Sequence, residues 1–188
     1  MTSFNYEVRI PKDRIAVLIG KQGEVKKQLE EATHSKIEVD SQEGDVLVQG
    51  DDPLMLFSTK NIIRAIARGF NPDIALRLLN VDYVFEIIDI KEFAANPSHI
   101  PRLKGRVIGG EGKTRQLIEE LTQTNICVYG KTISIIGPAD KTSNARRAIE
   151  SLLAGSPHAT VYKWLEKQRK NARMHNYFDQ ENKDKEDD

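Results

Sequence analysis

Apolar positions along this chain change period in a fixed order. Residues 4–10 (Phe-Asn-Tyr-Glu-Val-Arg-Ile) are rich in β-branched and aromatic side chains and predict a strand, which Pro11 ends. Asp13 stands where it would cap a short helix running to about residue 19, and Gly20 stops it. Residues 24–33 then place Val25, Leu29 and Ala32 at i, i+4 and i+7, with Lys26, Lys27, Glu30 and Glu31 elsewhere. That spacing predicts an amphipathic helix. Lys36 to Asp40 alternate as a half-buried strand, residues 41–44 form a turn, and residues 45–49 form the returning strand. Asp52-Pro53 opens a longer helix over about 53–69, with proline in the first turn and Gly69 near the end. The order is β-α-loop-α-β-β-α.

The same order runs a second time. Residues 83–90 predict a strand, a polar stretch with Pro97 and Pro101 leads into a short helix ending at Ile108, and residues 113–123 predict the next helix. Residues 125–129 and 131–136 form a hairpin around Gly130, and 138–154 the third helix. Each copy carries a GxxG loop: Gly20-Lys21-Gln22-Gly23 and Gly109-Gly110-Glu111-Gly112, 89 positions apart. At that offset Leu29 meets Ile118, Thr33 meets Thr122 and Ile37 meets Ile126; further on it slips to 86, where Ile63 meets Ile149 and Gly69 meets Gly155. One GxxG arises easily by chance. Two at matching places in a repeated pattern indicate one module used twice. Residues 72–79 predict a short connecting helix, and Pro157 to about Met174 a longer basic one.

Composition changes this picture little; charge distribution changes it more. The 188 residues are 39% apolar and 30% charged, which suits a soluble globular chain with one or two modest cores. The formal net charge is zero. Locally, residues 102–115 hold five cations against Glu111, residues 163–174 hold five against Glu166, and residues 179–188 hold six acids and two lysines. That last segment has no large apolar side chain and is expected to be disordered. A single cysteine, Cys127, fits a reducing compartment and a structural thiol. No apolar run approaches the roughly 20 residues that span a bilayer, and the first residues lack a signal-peptide pattern, so a cytoplasmic location is expected.

A glycine-rich turn between two helices has a specific chemical use. Glycine lets a ligand approach the backbone, and the following helix begins with unsatisfied N–H groups and partial positive charge. A phosphodiester backbone can lie there, with Lys or Arg beside it and an apolar groove for splayed bases. This is how KH domains clamp about four nucleotides of a single strand. The stretches Val17-Leu18-Ile19-Gly20-Lys21-Gln22-Gly23 and Val107-Ile108-Gly109-Gly110-Glu111-Gly112-Lys113-Thr114 resemble the core of type I KH domains. From Gly105 to Tyr162, the segments Gly112-Lys113-Thr114, Ile133-Ser134-Ile135-Ile136-Gly137, Ala145-Arg146-Arg147-Ala148-Ile149 and Gly155-Ser156-Pro157 resemble the partner-of-Nob family. The resemblance implies an α+β fold of tandem type I KH domains, each a three-stranded antiparallel sheet packed by helices, plus a C-terminal helix. It also implies binding to the 3′ region of small-subunit rRNA and association with the maturation endonuclease, without nuclease activity of its own. A compact chain with GxxG intact in both copies looks archaeal. The expected domains are residues 1–80, 81–156, a basic helix over 157–176 and an acidic tail over 177–188.

The residues expected to bind RNA are Lys12, Arg14, Ile19, Gly20, Lys21, Gln22, Gly23, Lys26, Lys27 and Ile37 in the first copy. In the second they are Lys104, Arg106, Ile108, Gly109, Gly110, Glu111, Gly112, Lys113, Thr114, Arg115 and Ile126, joined by Lys167 and Lys170 of the basic helix. Ile19, Ile37, Ile108 and Ile126 are assigned to the base grooves. Glu111 departs from the usual loop, since a carboxylate facing a phosphate is unfavourable. Either it points away or the contact shifts to Lys113, Thr114 and Arg115. Gly112-Lys113-Thr114 is not a nucleotide-binding P-loop, because Val107 stands where that motif requires another glycine. His34, His99, His158 and His175 lack metal-ligand spacing, and no carboxylate cluster suits nuclease chemistry, so no metal, cofactor or catalytic residue is expected. A second class stays open: an adaptor in which one KH domain recruits a nuclease or translation factor instead of binding RNA.

Overall fold

The structure, a computed structural model, describes the backbone of residues 4–186 and the side chains of residues 4–174. Contacts divide the chain into two compact units, residues 1–89 with 125–139 and residues 90–124 with 140–188.

In the first unit, β1 (Phe4–Arg9), α1 (Lys12–Ile19), α2 (Glu24–Thr33), β2 (Lys36–Val39), β3 (Asp45–Gly50) and α3 (Pro53–Ala67) follow the order read from the sequence. The strands form an antiparallel sheet of order β1-β3-β2, so β1 and β2 are its two edges. Val8 pairs with Val46, and Val39 with the same Val46, which aligns the apolar faces of all three strands. α3 supplies Leu56, Ile62, Ile63 and Ile66 to a core with Val8, Leu18, Leu29, Ile37, Val46 and Val48. Asp52 caps α3, its carboxylate accepting from the N–H groups of Leu54 (2.8 Å) and Met55 (3.3 Å). α4 (Pro72–Ala75) and one 3₁₀ turn (Leu76–Leu79) follow, capped by Asn71. The unit also holds a second antiparallel sheet, of order β4-β6-β5, made from β4 (Tyr83–Asp89), β5 (Asn125–Tyr129) and β6 (Thr132–Pro138). Phe70 and Phe85 meet edge to face at 6.4 Å, and Ile136 joins the same core.

The second unit contains α5 (Ile100–Ile108), α6 (Lys113–Thr122), α7 (Ala139–Leu153) and α8 (His158–Glu186). Their buried side chains include Leu103, Val107, Ile118, Ile149, Leu152, Val161 and Leu165.

Two expectations about element ends are corrected. Pro11, with extended backbone, precedes α1, and no side chain caps that helix; Asp13 lies inside its first turn, and its carboxylate accepts a 2.5 Å hydrogen bond from the Tyr129 hydroxyl. The C-terminal helix continues to Glu186, through the stretch expected to be a disordered tail from residue 177. No glycine or proline follows Pro157, and strong helix formers dominate the run, so nothing in the local sequence ends it. The side chains of 175–188, and hence the acidic cluster, lie outside the described residues.

Candidate nucleic-acid interface

The two loops have one backbone. In the first, Gly20 (φ 76°, ψ 179°), Gln22 (φ 53°, ψ 24°) and Gly23 (φ 82°, ψ 10°) take conformations that Gly109 (φ 73°, ψ 174°), Glu111 (φ 53°, ψ 26°) and Gly112 (φ 78°, ψ 7°) repeat. Three residues of each loop therefore have positive φ, one of them not glycine, and that residue's side chain is exposed. Gly20 and Gly109 are glycine for a second reason. A Cβ on Gly20 would lie 2.8 Å from the Val25 backbone N, and one on Gly109 would lie 2.8 Å from the Thr114 N. The loop is folded against the first turn of the next helix, with no room between. Gly23 and Gly112 act as N-caps of α2 and α6 without any side-chain cap, unlike Asp52 at α3. Both junctions thus present helix N-terminal donors beside an open, glycine-lined surface, which suits a phosphate oxygen.

Cations around the loops differ in availability. Lys21 is exposed in the first loop and has no carboxylate at ion-pair distance among the described residues. Lys26 is half-buried and pairs with Glu30 at 3.8 Å; Lys27 pairs with Glu31 at 3.8 Å, both largely exposed. Lys12 is exposed on α1. In the second loop Glu111 points to Lys113, at 3.1 Å, and Arg115 to Glu119, at 3.8 Å. Glu111 therefore neutralises the nearest lysine, and both groups are more than three-quarters exposed. Lys104 is half-buried on α5, while Lys167 and Lys170 are exposed on α8.

Several expected contact residues serve the scaffold instead. The Arg14 guanidinium donates to the carbonyls of Ile66 (Nε, 2.8 Å), in the last turn of α3, and Phe70 (Nη2, 2.7 Å), just beyond it. Arg106 does the same at the end of α7, to Leu152 (2.8 Å) in its last turn and Ser156 (2.6 Å) beyond it. These arginines satisfy helix C-terminal carbonyls and complement the helix dipole. Thr114 is 6% exposed, and its hydroxyl accepts from Tyr162 at 2.9 Å. Ile37 is 0% and Ile126 3% exposed, so both belong to buried cores and offer no surface to a base. Ile19 and Ile108 keep partial exposure, as does Val25.

Two side chains of α8 hold the second loop's supports, at contacts the sequence did not specify. His158 Nε2 lies 2.8 Å from the Arg106 carbonyl, and Tyr162 reaches Thr114 at the start of α6. Their i, i+4 spacing was visible, but nothing in the sequence says which turn it faces. Among the described residues no group of His, Cys, Asp and Glu is arranged to hold a metal, and no helix is long and apolar enough to cross a membrane.

Comparison with known proteins fits both copies. Residues 5–68 match the KH domain model, and residues 84–170 match the eukaryotic-type KH-domain (KH-domain type I). A KH domain-containing protein of Methanocaldococcus jannaschii is 49% identical over 166 residues, which cover 86% of this chain and 73% of that protein. The pre-rRNA-processing protein PNO1 of Debaryomyces hansenii is 38% identical over 106 residues, 54% of this chain and 41% of that protein. The chain thus matches under half the length of this fungal relative. A chain in the crystal structure of the a/eIF2alpha-aDim2p-rRNA complex from Pyrococcus horikoshii OT3 matches with TM-score 0.85 and 44% identity, over 90% of this chain and 96% of that one. Dim2p from the same organism, crystallised by itself, matches with TM-score 0.82 and 46% identity, over 87% and 99% of the two chains. A duplicated GxxG module, matched by KH models in both halves and shared with relatives of this identity and coverage, places the chain in the partner-of-Nob (PNO1/Dim2) family of two-KH-domain pre-rRNA-processing proteins.

Proposed function

We propose that this chain binds single-stranded RNA through its GxxG junctions, at the 3′ region of small-subunit rRNA, during ribosome maturation. The observation that carries this reading is the duplicated backbone. Two uncapped helix starts follow loops with the same φ and ψ, and each leaves its donors to a ligand oxygen. The recognition modules are residues 1–80 and 81–156, with the helix from 157 alongside the second. The P. horikoshii complex, which contains rRNA, supports the choice of RNA. The names of the pre-rRNA-processing relatives support the choice of pathway. The maturation endonuclease is the protein partner we assign. No chemical step is assigned to the chain itself, since the loops offer backbone donors and cations but no acid–base pair.

The Glu111–Lys113 pair favours a division of labour. A loop whose nearest lysine is already neutralised attracts phosphate less than one with a free Lys21. The adaptor role, recruiting a nuclease or a translation factor, therefore falls to the second module if to either.

The test is binding to a labelled strand matching the 3′ end of small-subunit rRNA, against a scrambled strand of equal length. Wild type should bind the matched strand more tightly. Lys21→Asp/Gln22→Asp should weaken it more than Gly110→Asp, because Lys21 supplies free charge. About four neutralised phosphates predict a log–log salt slope near −3. Equal binding by all three proteins would remove the GxxG loops from RNA recognition. Cleavage of the strand that tracks the purified protein in Mg²⁺ or Mn²⁺ would refute the non-enzymatic assignment.

A further inference from the structure

Most described cations of this chain that lie near carboxylates pair with them: Lys26 with Glu30, Lys36 with Glu38, Lys113 with Glu111, Arg146 with Glu150, Arg169 with Glu120. Three on α3 and its C-cap do not. Lys60, Arg64 and Arg68 stand at i, i+4 and i+8, on one helix face, and none has a carboxylate at ion-pair distance among the described residues. Two of them are held by aromatic rings instead. Lys60 Nζ is 4.7 Å from the Tyr6 ring centre, and the Arg64 guanidinium carbon is 5.9 Å from that of Phe85. The third has no capping duty to perform, because Arg14 already occupies the carbonyls of Ile66 and Phe70.

These side chains wall a cleft of about 570 Å³ whose other side is the end of β1, including Arg9 and Glu7. Arg9 reaches Asp45 and Glu43 only at 3.8 and 3.9 Å, and it is 73% exposed, so water largely screens those pairs. Glu7 is the one carboxylate lining the cleft, against four cations. β1 is one edge of the first sheet and β2, which follows α2 and the GxxG loop, is the other. The cleft therefore lies at the β1 edge of the sheet, opposite the β2 edge that follows the loop.

We propose that the β1–α3 cleft is a second polyanion site that binds RNA phosphates flanking the segment held by the GxxG loop. This rests on the RNA-binding reading above. Successive cations on the stripe are about 6 Å apart along the helix axis, a separation on the order of that between neighbouring phosphates of an extended strand. Aromatic support fixes Lys60 and Arg64 in place, so less side-chain freedom is lost on binding. The cleft is assigned to charge because four cations face one carboxylate across it.

The test compares a single strand of about six nucleotides, enough for one KH loop, with one of about 24 that extends past it. Both are titrated into the full chain and into Lys60→Gln/Arg64→Gln/Arg68→Gln at several salt concentrations. The triple variant should bind the short strand as wild type does. It should bind the long one about tenfold more weakly, with a salt slope shallower by roughly 2. Arg68→Gln alone, which leaves both ring contacts intact, should show about a third of that change in slope. Lys60→Arg/Arg64→Lys/Arg68→Lys keeps the charge and should retain wild-type long-strand binding, which separates charge from folding. Equal affinity and slope for the long strand in wild type and triple variant would overturn the proposal. So would equal losses on both strands, which would mean a damaged module. If wild type binds neither strand, the RNA-binding reading fails first and takes this one with it. If the long strand is unaffected but a polyglutamate peptide binds wild type and not the triple variant, the cleft is a protein-docking site and the RNA assignment is wrong.

Discussion

The two GxxG junctions have the same backbone and different supports. Behind the first, Val25 packs against Gly20, and α1 is tied to the end of α3 by Arg14. Behind the second, Thr114 takes the place of Val25, Tyr162 of α8 donates to its hydroxyl, and Arg106 makes the tie. The two arginines are not equivalent in sequence: Arg14 precedes its loop by six residues and Arg106 by three. Their acceptors are equivalent. Ile66 and Leu152, and Phe70 and Ser156, are each 86 positions apart, the offset of the third helices. One turn of helix separates the two solutions. A long guanidinium side chain absorbs that difference, so the carbonyls at the helix end, and not the arginine position, define the requirement.

Removing the shared feature should have the largest effect. Gly109→Ala places a Cβ 2.7 Å from the Thr114 Cβ at φ 73°, and Gly20→Ala places one 2.8 Å from the Val25 Cβ at φ 76°. Each should lower unfolding free energy in urea by about 3 kcal/mol. The next largest loss should come from cutting the unlike ties to like acceptors. Arg14→Met and Arg106→Met each remove two charged hydrogen bonds and take the donor from one carbonyl, Phe70 or Ser156, while Ile66 and Leu152 keep the N–H groups of Gly69 and Gly155. The expected cost is about 2 kcal/mol. A lysine at either position should recover little, since it cannot span both acceptors. Similar losses would show that the ties are interchangeable, and a clear inequality that α8 bears load in the second unit.

Electrostatic contrast between the loops is open to a gain-of-function test. Glu111→Lys frees Lys113 and reverses one charge, so RNA affinity should rise by roughly fivefold at about 0.1 M salt. No change would mean that phosphates avoid the second loop.

A smaller effect should attend Tyr129, which has no counterpart in the first hairpin. Its hydrogen bond to Asp13, then burial and the charge of Asp13, raise the phenol above its usual value. Neutral Tyr129 is the form the fold stabilises. The contribution is therefore complete below the ordinary tyrosine pKa of about 10 and lost as pH rises through the folded value. Ultraviolet titration should show Tyr129 ionising late in wild type, and Asp13→Asn should bring it back toward the ordinary tyrosine value. Tyr129→Phe should cost about 1 kcal/mol at neutral pH. The smallest effect belongs to Gly110→Ala. A Cβ there meets nothing within 4 Å and φ is not positive, so stability should change by less than about 0.5 kcal/mol.

The period of the apolar residues was sufficient for the element order. α2 and β5 have the very ends the pattern predicts, because Leu29 and Ile126 face the core at the periods of helix and strand. It was sufficient for the loops too, since only glycine tolerates the positive φ and the close approach at Gly20 and Gly109. It was insufficient for assigning cations. Arg14, Arg106 and Lys21 look alike in a string, and which of them faces carbonyls or solvent depends on a helix end some fifty residues away. Thr114 and Ile37 were misplaced for the same reason: exposure at a loop or strand is decided by what packs over it, and Tyr162 comes from a different helix. The sequence thus determined the modules, their duplication and the glycine geometry, because these rest on local backbone sterics and short-range period. Tertiary structure decided which charges are free and which residues are covered, because burial and hydrogen-bond partners arise only when distant segments meet.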